Sequence, residues 1–304
     1  MLVSHLAVKP KVLGIAMPCS SLPFLLLLCA TLFFFPAAFA QTNVAMPGAG
    51  GLSASDTAKA NDTSHCQSLA AGDSRMAPLS DVCKFALTYL HELPDFVCEQ
   101  TTRGSDTVFK AQVTFEHGHE HYSDITINGK PFRKNSSALV SRMKVFSSGE
   151  LGTNLVDLFE APIVAQFQFR KESKLRDVRA LVYSFDIPAD KNTFWPVRDG
   201  RGTTLRPEYT GELWVENSNH RLLRLESRPV HLPEDFGIAN AQKTIEYDEV
   251  RIVDAGMFLL PSKSETTVCT WNGNLTTCTT NVLTFQGCQK FGTKTRILPE
   301  SPKP

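Results

Sequence analysis

The chain has 304 residues, of which 42% are hydrophobic and 20% charged, with 31 basic side chains against 31 acidic ones. A net charge of zero excludes the basic surface that nucleic-acid or anionic-membrane binding needs. The length suits one domain with a sizeable core.

Residues 1–40 read as a secretory signal peptide. Lys9 and Lys11 supply its positive start, Leu22 to Pro36 its apolar run, and Ala38-Phe39-Ala40 the small residues before cleavage at Gln41. A membrane anchor is the alternative, but the apolar run is shorter than the ~20 residues of a span. The segment 41–78, rich in Ala, Gly, Ser, Asp and Asn, reads as a flexible linker. A single domain is expected over 79–299, with a short tail at 300–304.

Six cysteines follow the signal: Cys66, Cys83, Cys98, Cys269, Cys278 and Cys288. An even count without a CxxC pair, in an exported chain, favours disulfides over zinc.

Ser80 to Leu93 is the one long amphipathic helix. Val82, Phe85, Ala86, Tyr89, Leu90 and Leu93 share a face, Ser80 is the expected N-cap, and Pro94 ends the helix. Asp95 to Arg103 follows as a strand. Thr107 to His117 alternates, with Phe109, Ala111, Val113 and Phe115 on one face; His121 to Asn128 places Ile125 and Ile127 inward before an Asn-Gly turn. Gly149 to Glu160 carries Leu151, Leu155, Leu158 and Phe159 on one stripe and reads as a second, short helix.

Ile163 to Arg170 and Val178 to Ile187 form a hairpin around the charged turn KESKLRD, and 188–207 reads as a long loop. The clearest hairpin is Glu208 to Glu226, in which Leu213 and Val215 face Leu223 and Leu225. Strands follow at 243–253, 257–271 and 277–291. Almost everything after the first helix is therefore strand, which predicts an α+β fold, mainly antiparallel: a strongly curved sheet, an incomplete barrel, wrapped around one long helix, with the second helix accompanying it.

If Gly273 and Asn274 are the central residues of the last turn, Cys269 and Cys278 lie opposite each other at a non-hydrogen-bonded site, ~4.5 Å apart. The four remaining cysteines allow three pairings. A first strand antiparallel to the helix brings Cys83 and Cys98 level, since helix and strand rise by ~1.5 and ~3.3 Å per residue. That favours Cys83–Cys98, with Cys66–Cys288.

His117-Gly-His-Glu-His121 is the most suggestive local motif. In extended backbone His117, His119 and His121 point to one side and offer three imidazoles to a metal; a solvated hairpin tip is the plainer reading. The carboxylates Glu234 and Asp235, and Glu246, Asp248 and Glu249, read as solvated outer face. His91 lies beside the polar side of the first helix, and Trp195, Trp214 and Trp271 serve packing or a pocket wall. No nucleophile elbow, phosphate loop, dinucleotide fingerprint or HExxH motif is present, so no catalytic residue and no cofactor is expected. Sequons occur at Asn61, Asn135 and Asn274.

The phrases LPDFVCEQTTR (93–103), HYSDITINGKP (121–131), GELWVENSNHRLLRLE (211–226), FLLPSKSE (258–265) and QKFG (289–292) carry a likeness. Over roughly residues 80–297 the chain resembles a group of secreted bacterial proteins related to the periplasmic outer-membrane lipoprotein carriers, the Lol-type half-barrel superfamily. Its cysteines depart from the carriers, which are cysteine-poor. The resemblance implies a half-barrel and an exported, bacterial protein of the periplasm or cell exterior.

It also implies non-catalytic binding of a lipid-like or apolar ligand, or of a lipoprotein segment. The inward apolar side chains would line the site: Phe85, Tyr89, Phe109, Val113, Phe115, Ile125, Ile127, Phe167, Phe169, Leu213, Val215, Leu223 and Leu225. Burial of an acyl chain against them is worth ~25 cal/mol per Å². The alternatives are an envelope interaction module whose interior is filled by its own side chains, and, third, a metal-binding protein acting through the HGHEH segment. The expected partners are an apolar ligand or an envelope protein, with no nucleic acid and no membrane span after signal cleavage, and the chain is expected to be a monomer.

Overall fold

The computed structural model describes residues 63–133, 149–160, 165–193, 195–273 and 275–292. The signal segment, the first part of the linker, the tail and the asparagines of the three sequons lie outside them. Helix α1 is Ser64–Leu69, a 3-10 turn follows at Ser74–Met76, and α2 is Ala77–Glu92. Strands β1 to β4 are Phe96–Arg103, Val108–Glu116, His119–Ile127 and Lys130–Pro131, and α3 is Thr153–Phe159. Strands β5 and β6 are Gln166–Leu175 and Val178–Ile187, followed by the two-residue β7 (Val197–Arg198) and β8 (Thr204–Leu205). The described residues finish with β9 (Glu208–Glu216), β10 (Leu222–Val230), β11 (Ile238–Ile252), β12 (Gly256–Asn272) and β13 (Leu275–Lys290).

Eleven strands form one sheet in the order β4-β3-β2-β1-β13-β12-β11-β10-β9-β6-β5. Each neighbouring pair is antiparallel. The fold is α+β, an open, incomplete barrel, and its first strand lies beside its last.

The core runs along α2 in two clusters. The first joins Leu79, Val82, Ala86 and Leu87 of α2 to Leu155 and Leu158 of α3 and to Tyr183, Phe185, Leu213, Leu225 and Ile245 of the sheet. The second joins Tyr89 and Leu93 to Phe96, Phe109, Val113, Phe115 and Tyr122. Phe85 packs against both. Alternation along the strands supplies one apolar face, and the helical spacing of α2 supplies the stripe that covers it.

Several expectations are corrected. The described part of the presumed linker, 63–78, is folded: α1 carries Cys66, which is completely buried. Helix α2 starts at Ala77, with Pro78 in its first turn, where a missing N–H costs nothing. Ser80 is therefore a buried helical residue and not the cap. The charged turn shrinks to Arg176-Asp177, both at positive φ, so Lys171 to Leu175 extend β5.

The disulfides are Cys66–Cys83, Cys98–Cys288 and Cys269–Cys278, with Cα–Cα distances of 5.6, 4.2 and 3.9 Å. The expected Cys83–Cys98 and Cys66–Cys288 pairs are not formed. Cys83 and Cys98 belong to different core clusters, because Cys83 faces α1. Cys98 meets Cys288 because β1 pairs with β13, at a bulge between Val97 and Glu99.

Candidate binding site

Twelve of the thirteen side chains expected to line a ligand cavity belong to, or pack against, the two core clusters. Nine are buried in the two clusters: Tyr89, Phe109, Val113, Phe115, Ile125, Ile127, Leu213, Val215 and Leu225. Leu223, the bulged residue of β10, is buried but belongs to neither. Helix α2 occupies the space these nine enclose, and the Tyr89 hydroxyl is anchored there by donating to the Leu259 carbonyl at 2.7 Å. Phe85, Phe167 and Phe169 are half-buried. Phe167 stacks on Phe159 of α3 with ring centroids 5.1 Å apart, and the Arg75 guanidinium lies 5.0 Å from the Phe169 ring centre.

Two bulges change the expected register. Leu213 pairs with Leu225, but Val215 pairs with Leu222, because Leu223 is an extra residue in the strand. On β3 the register slips opposite Lys110 and Gln112, where Asp124 has φ 48°. This slip decides the histidines. Extending the parity of Ile125 and Ile127 backwards puts His119 and His121 inside, but Glu120 and Tyr122 point in instead. His119 faces partly to solvent, His121 is exposed, and His117 sits in the His117-Gly118 turn at φ 51°. The three imidazoles are not brought together. His117 lies instead near Asp95 and Glu116: its N–H donates to Asp95 Oδ1 at 2.9 Å, and its Nδ1 is 3.9 Å from Glu116 Oε1.

Sequence reasoning missed a set of ionisable groups beneath α3. Glu120 accepts from the Tyr122 hydroxyl at 2.6 Å and from the Leu151 N–H at 3.2 Å. Burial pushes its carboxyl up to about 7, against the lowering effect of the Tyr122 hydrogen bond. Glu150, 1% exposed, pairs with Lys243 Nζ at 2.9 Å, and the same ammonium donates to Asn154 Oδ1 at 3.3 Å. Asp157, on α3, accepts from the Trp195 indole N–H at 3.2 Å, and burial raises it to about 7 as well. Trp195 is held edge-on between Phe185 and Tyr209. These contacts fasten α3 to the sheet with charged and protonatable groups where apolar packing alone would serve. The one signal for them was Glu120 standing in register with Phe115 across the His-Gly turn.

The outer face is polar. Glu246 and Asp248 pair with Arg176 at 2.7 and 3.3 Å, Glu246 also meets Arg224, and Trp214 lies under Lys171 and Arg224. A groove of about 450 Å³ on this region is lined by polar groups that include Gln168, Arg170, Asp186, Thr210, Arg228 and Gln242. Glu234 and Asp235 are exposed in a 3-10 turn.

Among solved structures, the chain is similar to a LolA superfamily protein from Nitrosomonas europaea, at 13% identity and TM-score 0.32, covering 72% of this chain and 94% of that one. It is also similar to a DUF1329 family protein from Desulfovibrio piger, at 10% identity and TM-score 0.35, covering 70% and 93%. A third similarity is to the Pseudomonas aeruginosa MucA/MucB complex, at 10% identity and TM-score 0.17, covering 68% and 94%. No family model matches the chain, and no curated protein does. Likenesses this distant do not transfer an activity. Three disulfides fit an oxidising compartment. Among the described residues no helix is long and apolar enough to cross a membrane.

Proposed function

We propose that this protein is a non-catalytic binding module of the bacterial cell envelope, working in the periplasm, whose half-barrel is filled by its own helix and which engages another envelope protein. The observation that supports this is the burial of nine of the thirteen expected lining side chains in the two core clusters that α2 shares. An acyl chain entering there must displace Tyr89 and its hydrogen bond to Leu259. The second reading is an acyl-chain carrier. It draws on Phe85, Phe167 and Phe169, which stay half-buried beside Leu69 and Met76 and offer apolar surface to a ligand.

Native mass spectrometry of the mature protein purified from its own envelope, followed by organic extraction, separates the two. The expected result is a bare chain lacking the six hydrogens of three disulfides, with nothing stoichiometric in the extract. A lipid released by solvent that rebinds the stripped protein would establish the carrier reading instead.

A further inference from the structure

Sheet edges invite foreign strands, and proteins blunt them with short strands, charges, prolines and bulges. Both ends of this sheet follow that rule. Strand β4 is two residues long, Lys130 and Pro131. Strand β5 carries Arg170, Lys171, Glu172 and Lys174 and is bulged between Phe169 and Lys171.

A third edge does not follow it. Strand β1 pairs with β13 only from Lys290 to Val282. Strand β13 continues from there to Leu275, paired on its other side with β12 through Asn272↔Leu275. On the opposite flank, β10 pairs with β11 only from Arg224↔Glu246 to Ser227↔Lys243. The first part of β11 and the far ends of β12 and β13 thus project as a three-stranded arm. Its segments are Ile-Ala-Asn-Ala-Gln (238–242), Thr-Val-Cys-Thr-Trp-Asn (267–272) and Leu-Thr-Thr-Cys-Thr-Thr (275–280), without one charged residue or proline. Among the described residues no strand pairs with the outer edge of 275–280. The Cys269–Cys278 bond holds the arm in register, and at its tip Trp271 is 48% and Leu275 73% exposed.

Six residues of high β-propensity, uncharged, on an open and pre-ordered edge are a template for strand addition. We infer that the Leu275–Thr280 edge of β13 pairs antiparallel with the same edge of a second copy of this chain, joining two arms into one six-stranded sheet. The occupant follows from symmetry and charge. A two-fold axis sets each edge against its own copy, so any charge on it would face a like charge. This edge carries none, and the chain as a whole is neutral. Self-pairing also covers Leu275. The sequence reading expects a monomer, and the arm departs from it. The inference does not depend on what fills the half-barrel.

Sedimentation equilibrium of the mature protein tests it. The weight-average mass is expected to rise toward twice the chain mass as concentration approaches roughly 0.2 mM, the range in which small interfaces dissociate. Thr277→Lys with Thr279→Lys, placed on the edge strand, is expected to hold the protein monomeric with an unchanged melting temperature. Thr270→Lys, exposed on the middle strand of the arm, is expected to leave the dimer in place. Amide exchange at 0.2 mM is expected to slow at alternate N–H groups of 275–280 in the wild type only. A wild-type chain monomeric at every concentration overturns the inference, and so does equal dissociation by Thr270→Lys, which would assign association to the arm's face and not its edge.

Discussion

The three disulfides close loops of very different length, and their removal is expected to rank accordingly. The sequence separations are 190 for Cys98–Cys288, 17 for Cys66–Cys83 and 9 for Cys269–Cys278. The entropy that a cross-link removes from the unfolded chain grows with the logarithm of loop length, giving about 5, 3 and 2.5 kcal/mol at 25 °C. Burial widens the gap, because Cys98, Cys288, Cys66 and Cys83 are core residues whose sulfur atoms leave voids, whereas Cys278 is exposed. Double substitution to Ala, which leaves no unsatisfied hydroxyl inside, is the clean perturbation. Guanidinium denaturation of the mature protein and of each double variant reads the three costs directly. C98A/C288A is expected to lose at least twice what C269A/C278A loses. Equal losses would refute loop closure as the source and point to local packing around each bond.

Three further expectations concern the pair Glu120 and Asp157, the Lys243–Glu150 ion pair, and Gly211. Glu120 and Asp157 are raised to about 7, so the native state keeps protons that the unfolded chain releases near pH 4; their contribution is full below that and is lost as pH rises through 7. For Asp157 the change is on the order of 4 kcal/mol. Denaturation midpoints should therefore fall between pH 5 and pH 8, Asp157→Asn should flatten that fall, and a midpoint unaffected by the substitution at both pH values would contradict the account. Lys243→Met strips the buried Glu150 of its salt bridge and is expected to cost about 3–5 kcal/mol, measured by urea unfolding at pH 7. Gly211→Ala places a methyl group against the Glu226 carbonyl and the Phe185 ring. Its melting temperature should drop sharply while Gly200→Ala, in open space, melts as the wild type does.

Much of the architecture is legible in side-chain periodicity. Phe109 to Phe115 alternates because β2 has one face on α2, and the helix around Val82, Ala86 and Tyr89 shows its stripe for the same reason. Turns with Gly or Asn, such as Asn128-Gly129, announce themselves chemically. What fails is whatever depends on distant partners. Local helix and strand geometry says nothing of β1 lying beside β13, and that neighbour decides where Cys98 pairs. The parity slip at Asp124 leaves no mark in a sequence that alternates on both sides of it, so the inward Glu120 shows only through its place opposite Phe115 and the outward histidines look convergent. Glu150, Lys243 and Asp157 carry no local mark of burial, because burial of a charge is set by partners tens of residues away.

The place of β1 in the sheet has a consequence for how the chain comes into being. Within the large sheet, strands β2 to β4 hang from β1, while β5, β6 and β9 to β12 form a separate meander; β13 joins the two halves. Until residues near 290 have emerged, neither half has its neighbour, and the seam between them spans nearly the whole domain. Such non-local closure is slow. A chain threaded through a membrane from its N-terminus therefore stays unassembled at its centre until the last strand has crossed. Cys98 meanwhile waits as a free thiol, while Cys66 and Cys83 have both passed before it.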